Sequence, residues 1–218
     1  MEILMSREIS KNGFIDWGVA VEVMPGETEC GDVYVVKEFP EGMLVGVVDG
    51  LGHGLDAATA GRTVAATLSD FAQESVISLF RHCHETAQKT RGVVMSLASF
   101  NKRDGTMTWA GVGNVEGVLL RADPNASPAT DYLLLRSGGV GFNLPELRAT
   151  VIPVMPGDTL IFATDGVRSN FSQALLQSLY ETPQKIAERI LAHNKKNTDD
   201  ALVLVVRYGG KAHERVDK

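Results

Sequence analysis

Four short apolar runs in this chain each meet an acidic residue at one end, and that coincidence restricts the fold more than any other feature. The run Leu44-Val45-Gly46-Val47-Val48 delivers Asp49 into a turn that contains Gly50, Gly52 and Gly54. It is valine-rich and uncharged, as a buried strand would be. The glycines let the backbone turn and approach another group closely. The run at 159–164 ends in Asp165-Gly166, Asp199-Asp200 stands directly before the run at 201–206, and Gly31-Asp32 opens the strand-like 33–36. If those strand ends converge, several carboxylates share one small volume. Like charges so close repel unless a cation sits among them. Hard divalent ions such as Mg²⁺ and Mn²⁺ prefer such oxygen ligands.

Periodicity predicts the order of elements. Trp17, Val19 and Val21 alternate with Asp16, Gly18 and Ala20, which predicts a half-buried strand over 15–23. Further strands are expected at 32–39 and 43–49. A helix is predicted over 55–74, with Leu55, Ala58, Arg62, Ala65, Leu68 and Ala72 near one stripe and Val64 and Phe71 beside it. A second helix is predicted over 76–90, capped by Ser75 and stopped at Gly92. Strands then follow without helices: 93–100, 106–111, 117–121, 132–136, and a hairpin of 149–154 with 159–164. Helices at 172–180 and 183–193 come next, the latter with Thr182 as cap and Pro183 at its first position. The last strand is expected at 201–208, and the polar tail from 209 is expected to fray.

Strands grouped with strands, and helices in pairs, read as α+β rather than as an alternating parallel sheet. Two antiparallel sheets packed face to face, each covered by a helix pair, would bury every apolar face. No linker-like stretch divides the chain, so 1–218 is expected to form a single domain with a core at about 15–208.

Composition enters mainly as exclusion. A net charge of −6 argues against nucleic acid as the main ligand. Cys30 and Cys83 have no CxxC spacing, and His82 and His84 beside Cys83 point to different helix faces. No stretch has the length of a bilayer span or of a signal-peptide core, which points to a cytoplasmic protein with no membrane partner. Asp-Gly taken singly is an ordinary turn pair; its recurrence at strand ends is what carries weight. His53 reads equally as a turn-shaping residue or one that does chemistry, Asn114 as a loop-shaping or substrate-touching residue left outside the site, and Lys195-Lys196 as a solvated pair. Trp17 and Trp109 read as core residues.

The ordered segments Gly31-Asp32, Val47-Val-Asp-Gly-Leu-Gly-His-Gly54, Ala163-Thr-Asp-Gly-Val167 and Thr198-Asp-Asp-Ala201 resemble the motifs of the metal-dependent PPM-type serine/threonine protein phosphatases. Asp-Gly-x-Gly-His-Gly is similar to the bacterial SpoIIE/RsbU/RsbX branch. Gly111-Val-Gly-Asn-Val-Glu116 and the chain's size look most like the RsbX type, which resets the stressosome. The resemblance covers roughly 15–208. It implies a four-layer αββα sandwich and two Mn²⁺ or Mg²⁺ ions bridged by a hydroxide that attacks phosphorus. By motif, Asp49 resembles the bridging, catalytic carboxylate, and Gly50 supplies a backbone carbonyl. Asp165 and Asp199 resemble ligands of the second ion, Asp200 remaining the alternative to Asp199, and Asp32 matches the first acidic motif. The implied substrates are phosphorylated STAS-domain proteins of a stressosome, with a monomer as the plausible state. A small-molecule phosphomonoesterase and a catalytically silent binding module are the alternatives. Two departures stand out. No arginine lies between Arg7 and Asp32 to hold phosphate, and Leu51-Gly52 separates His53 from the Asp49-Gly50 pair, so His53 inherits no acid role.

Overall fold

The computed structural model describes residues 4–9, 13–169, 171 and 181–209. In chain order the strands and helices are β1 (Leu4–Ile9), β2 (Ile15–Glu22), β3 (Asp32–Phe39), β4 (Gly42–Gly50), α1 (Gly54–Asp70), α2 (Val76–Ala87), β5 (Val93–Asn101), β6 (Thr106–Val112), β7 (Glu116–Leu120), β8 (Thr130–Tyr132), β9 (Leu135–Arg136), β10 (Thr150–Pro153), β11 (Thr159–Ala163), α3 (Pro183–Asn194) and β12 (Ala201–Tyr208). One sheet has the order β1-β2-β12-β11-β7-β8, and the other β10-β6-β5-β4-β3. Among the described residues, all strand pairings are antiparallel except that of β9, which lies parallel to β6.

The layers follow from the two-residue period of the strands. On β12, Leu202, Leu204 and Val206 point between the sheets, where they meet Trp17, Val45, Phe100 and Trp109. The alternate residues Val203 and Val205 point outward onto Ile186 and Ile190 of α3. On the other sheet, Leu44 and Val48 point outward onto Val64, Leu68, Leu79 and Phe80 of α1 and α2. Three apolar interfaces thus separate four layers, which is the expected α/β/β/α order. Caps behave as the sequence predicts. Ser75 Oγ accepts from the Ser78 N–H at 3.1 Å, and Thr182 Oγ1 accepts from the Lys185 N–H at 3.4 Å with Pro183 at the helix start.

Several expectations change. β2 is buried on both faces, because α3 covers the Gly18 and Ala20 side. Gln184 of α3 fixes that cover: its side-chain amide accepts from the Val19 N–H and donates to the Val19 carbonyl, at 3.1 and 3.0 Å. Leu55 is 63% exposed, and α1 buries Ala57, Ala58, Ala60, Gly61, Val64 and Leu68 instead, small residues that bring it close to the sheet. Phe71 lies just past α1 and stacks on His82 with ring centroids 4.5 Å apart. α2 ends at Ala87, so Gly92 is no helix stop; it adopts φ +83°, and a side chain there would meet the Val140 carbonyl. The strand expected at 132–136 divides into β8 and β9, which belong to different sheets. The hairpin expected at 149–164 does not form either. β10 pairs with β6 while β11 pairs with β7 and β12, so the turn at 155–158 carries the chain from one sheet to the other. β1 was not foreseen. The helix expected at 172–180 and the tail beyond 209 lie outside the described residues. Among the described residues, no helix is long and apolar enough to cross a membrane.

Candidate metal centre

Strand pairing brings the first two acidic motifs together. β3 and β4 pair in a register that places Asp32 opposite Asp49, and the Gly50 N–H donates to the Gly31 carbonyl at 3.2 Å. Close approach of α1 to these strand ends demands glycine. A Cβ on Gly50 would stand 2.1 Å from the Ala57 carbonyl oxygen, and one on Gly61 would stand 2.7 Å from that of Gly31. The other sheet supplies the remaining motifs. β11 and β12 are neighbours, so Thr164 and Asp165 leave the sheet beside Asp199 and Asp200. Gly166 is bare for the same reason, since a Cβ there would strike the Asp200 carbonyl oxygen.

One hydroxyl joins the two sheets at this point. Thr164 Oγ1 donates to Asp32 Oδ2 at 2.7 Å and accepts from the Leu202 N–H at 2.9 Å. Asp32 is 6% exposed. Asp200, 3% exposed, has both oxygens engaged by backbone: Oδ1 accepts from the Met24 N–H and Oδ2 from the Gly31 N–H, each at 2.7 Å. Asp200 therefore holds the loop that delivers Asp32. Asp199 is more open, and one of its oxygens accepts the Asp200 N–H at 2.9 Å. Asp200 is thus committed to backbone donors, and Asp199 is the more open of the pair. Among the described residues, nothing donates a hydrogen bond to the Asp49 carboxylate.

The electrostatics record the crowding. Burial first, then Asp165, Asp199 and Asp200, push the Asp49 carboxyl up to about 8. Burial, then Asp49, drives Asp32 well above the ordinary carboxylate range, with the Thr164 hydroxyl pulling the other way. Asp199 is raised chiefly by burial, offset by the Asp200 N–H and in smaller part by His53. Each shift is the mark of burial, reinforced by neighbouring like charge. Among the described residues, no three His, Cys, Asp or Glu side chains are already arranged around a point as metal ligands. The fit therefore rests on the chemistry of the donor set: several carboxylates and bare glycine backbone, without imidazole or thiolate, the set a hard dication takes.

Around this centre the structure adds residues that the sequence reading left out. Asn114, in the β6–β7 turn, donates through Nδ2 to Asp165 Oδ2 at 2.7 Å. Lys196 Nζ donates to the Asp165 carbonyl at 2.6 Å, and Lys195 pairs with Glu22, so neither lysine is merely solvated. Asn114 stands beside β11 because β7 does, which only the sheet order reveals. His53 Nδ1 lies 2.6 Å from Glu27 Oε1, and Glu27 covers Gly54, which ties the His53 ring to the turn. Cys30 lies beside Asp32 and Asp200, and burial pushes its thiol upward, which makes it a poor nucleophile.

The comparisons with known proteins agree with this fold. The chain is 26% identical over 142 residues to the phosphoserine phosphatase RsbX of Bacillus subtilis, covering 65% of this chain and 69% of that protein. A solved structure from work on the bacterial stressosome, a modular system adapted to control secondary messenger signalling, superimposes with a TM-score of 0.82 at 28% identity, covering 88% of this chain and 99% of the other. A crystal structure of RsbX in complex with magnesium shares the fold, with a TM-score of 0.83 at 22% identity over 94% of this chain and all of the other. The family model for Stage II sporulation protein E (SpoIIE) matches residues 40–209. With four layers, two facing sheets and most of its length matched, the chain belongs to the SpoIIE family of PP2C-type phosphatases.

Proposed function

We propose that this PP2C-type phosphatase is a Mn²⁺- or Mg²⁺-dependent phosphoserine/phosphothreonine protein phosphatase, and that its substrates are phosphorylated STAS-domain proteins of a bacterial stressosome. The observation that carries the reading is the meeting of Asp32, Asp49, Asp165 and Asp199 from four strand ends of two sheets, with burial and then the neighbouring carboxylates pushing Asp49 up to about 8. The likeness to RsbX, and the magnesium in the RsbX crystal, support the choice of metal and of substrate class.

Asp49, with Asp32 and the Gly50 carbonyl on one side and Asp165 and Asp199 on the other, would hold two ions. When bound, such ions lower the pKa of water and neutralise phosphoryl oxygens. The chain's own residues set the frame for this. Thr164 fixes the Asp32 rotamer across the sheets, Asn114 orients Asp165, and Asp200 clamps the loop that precedes β3. His53 is held by Glu27 at the turn and takes no part in proton transfer in this reading.

The test is phosphate release from a phosphoserine STAS protein, compared with a panel of small phosphomonoesters, in EDTA and with added Mn²⁺. Release that needs Mn²⁺, favours the protein and disappears in Asp49→Asn is the expected result. Release that persists in EDTA or in Asp49→Asn would place the chemistry elsewhere. A folded, Mn²⁺-loaded chain that releases nothing from any of these substrates sinks the proposal.

A further inference from the structure

A cavity of about 290 Å³ opens beside the glycine turn that follows Asp49, lined by Asp56, Thr59, Lys89, Thr90 and Arg91. It offers two cations on a chain whose net charge is −6 and whose candidate centre is carboxylate-rich. Arg91 is fixed in place relative to that centre. The carbonyl of the next residue, Gly92, accepts the Leu51 N–H at 3.1 Å, so the backbone that carries Arg91 is tied two residues beyond Asp49. Its guanidinium lies over Gly52, where a Cβ would stand 2.8 Å from Nη1. Gly52 has φ +88°, and its bare face leaves the space that the guanidinium occupies. The other side of the fork meets Asp56, Nη2 to Oδ2 at 3.1 Å. These side chains are 53% and 67% exposed, so the pair is weak, salt-screened and readily exchanged for another anion.

We propose that Arg91, assisted by Lys89, forms a substrate subsite for an anionic group: an oxygen of the phosphoserine, or a carboxylate beside it in the phosphoprotein. The inference rests on the phosphatase reading and adds a recognition residue from the α2–β5 connection. A guanidinium presents parallel donors that match both phosphate and carboxylate, whereas Lys89 contributes a point charge. Asp56 holds the fork open toward solvent until the anion arrives. Arg91 thus stands both over Gly52, in the turn that follows Asp49, and in the lining of the cavity.

The experiment compares wild type, Arg91→Ala, Arg91→Lys and Lys89→Ala, all loaded with Mn²⁺ at low salt. Three probes are used: p-nitrophenyl phosphate, a phosphoserine peptide with acidic neighbours, and the same peptide with alanine neighbours. Arg91→Ala is expected to lower kcat/KM by about 10-fold on the acidic peptide, mostly through KM, and Lys89→Ala by about 3-fold. Arg91→Lys, which keeps the charge and loses the fork, falls between wild type and alanine. Thermal midpoints and Mn²⁺ dependence stay at wild-type values, which separates recognition from a structural role. A loss shared by all three probes assigns the subsite to the phosphate; a loss confined to the acidic peptide assigns it to a flanking carboxylate. Unchanged kcat/KM for Arg91→Ala on every probe overturns the subsite alone. If wild type itself releases no phosphate, the phosphatase reading falls and the subsite with it.

Discussion

Asp32, Asp49 and Asp199 hold their protons more tightly in the folded chain than an ordinary aspartate does, and the cause for each is burial first and neighbouring carboxylates second, with hydrogen bonds partly offsetting it at Asp32 and Asp199. The sign of the resulting pH dependence follows from linkage. Above the ordinary carboxylate value of roughly 4 and up to about 8, where Asp49 titrates when folded, the native chain binds more protons than the unfolded one. The stability these protons confer is full at the acid end and is lost as pH rises through that window. In EDTA, therefore, the thermal midpoint contributed by this cluster falls between pH 5 and pH 8. Asp49→Asn flattens that slope and raises the midpoint at pH 8 by a few degrees, roughly what ~1 kcal/mol shifts in a domain this large. Added Mn²⁺ has its largest stabilising effect at pH 8, and thermal unfolding across pH with and without metal measures all three. The Thr164 hydroxyl gives a second prediction. Thr164→Val leaves Asp32 and the Leu202 N–H without their partner, so it should cost about 1–3 kcal/mol in denaturant unfolding and weaken Mn²⁺ binding. A Thr164→Val chain as stable as wild type would show that the two sheets are not joined through this hydroxyl.

At the scale of elements, the approach of α1 to β4 is set by backbone rather than by side chains. Gly50→Ala would drive a methyl into the Ala57 carbonyl, which is backbone and cannot swing aside. It is expected to destabilise the chain by roughly 2 kcal/mol or more and to displace Asp49, seen as lost activity even in the fraction that folds. Ser75→Ala, at the α2 cap, should cost about 1 kcal/mol and leave turnover intact. Wherever local pattern decides the outcome, the elements were legible in advance. β3 carries its acidic residue at the first position, β4 ends on Asp49-Gly50, and Thr182-Pro183 starts α3. What stayed hidden depends on partners distant in sequence. Nothing local tells residues 132–136 that they will serve two sheets, or residues 149–164 that they will not pair with each other. Asn114 and Arg91 were missed for the same reason, since an asparagine in a turn and an arginine after a helix acquire meaning only from the strand or glycine placed against them. The close approach expected of Gly50 is what the structure shows, and Gly61 and Gly166 are further points of contact between backbones.

Across the whole molecule, the sheet that carries Asp165 and Asp199 is assembled from both ends of the sequence. β2 lies against β12 over eight paired positions, from Ala201 opposite Glu22 to Tyr208 opposite Ile15. Pairings of that sequence separation fold slowly, because the loop must close before any contact rewards it. Refolding followed by tryptophan fluorescence should therefore include a phase of milliseconds or slower that also restores Mn²⁺ binding, since Trp17 sits in the register of β12. The same pairing has a consequence for biosynthesis. Asp32 and Asp49 leave the ribosome early, whereas Asp199 and the strand behind it emerge more than a hundred residues later. Until β12 docks, β2 and β11 have no neighbour between them and the second half of the carboxylate set is missing. A nascent chain thus holds Asp32 and Asp49 without their counterparts, and the carboxylate set is completed only when β12 inserts between β2 and β11.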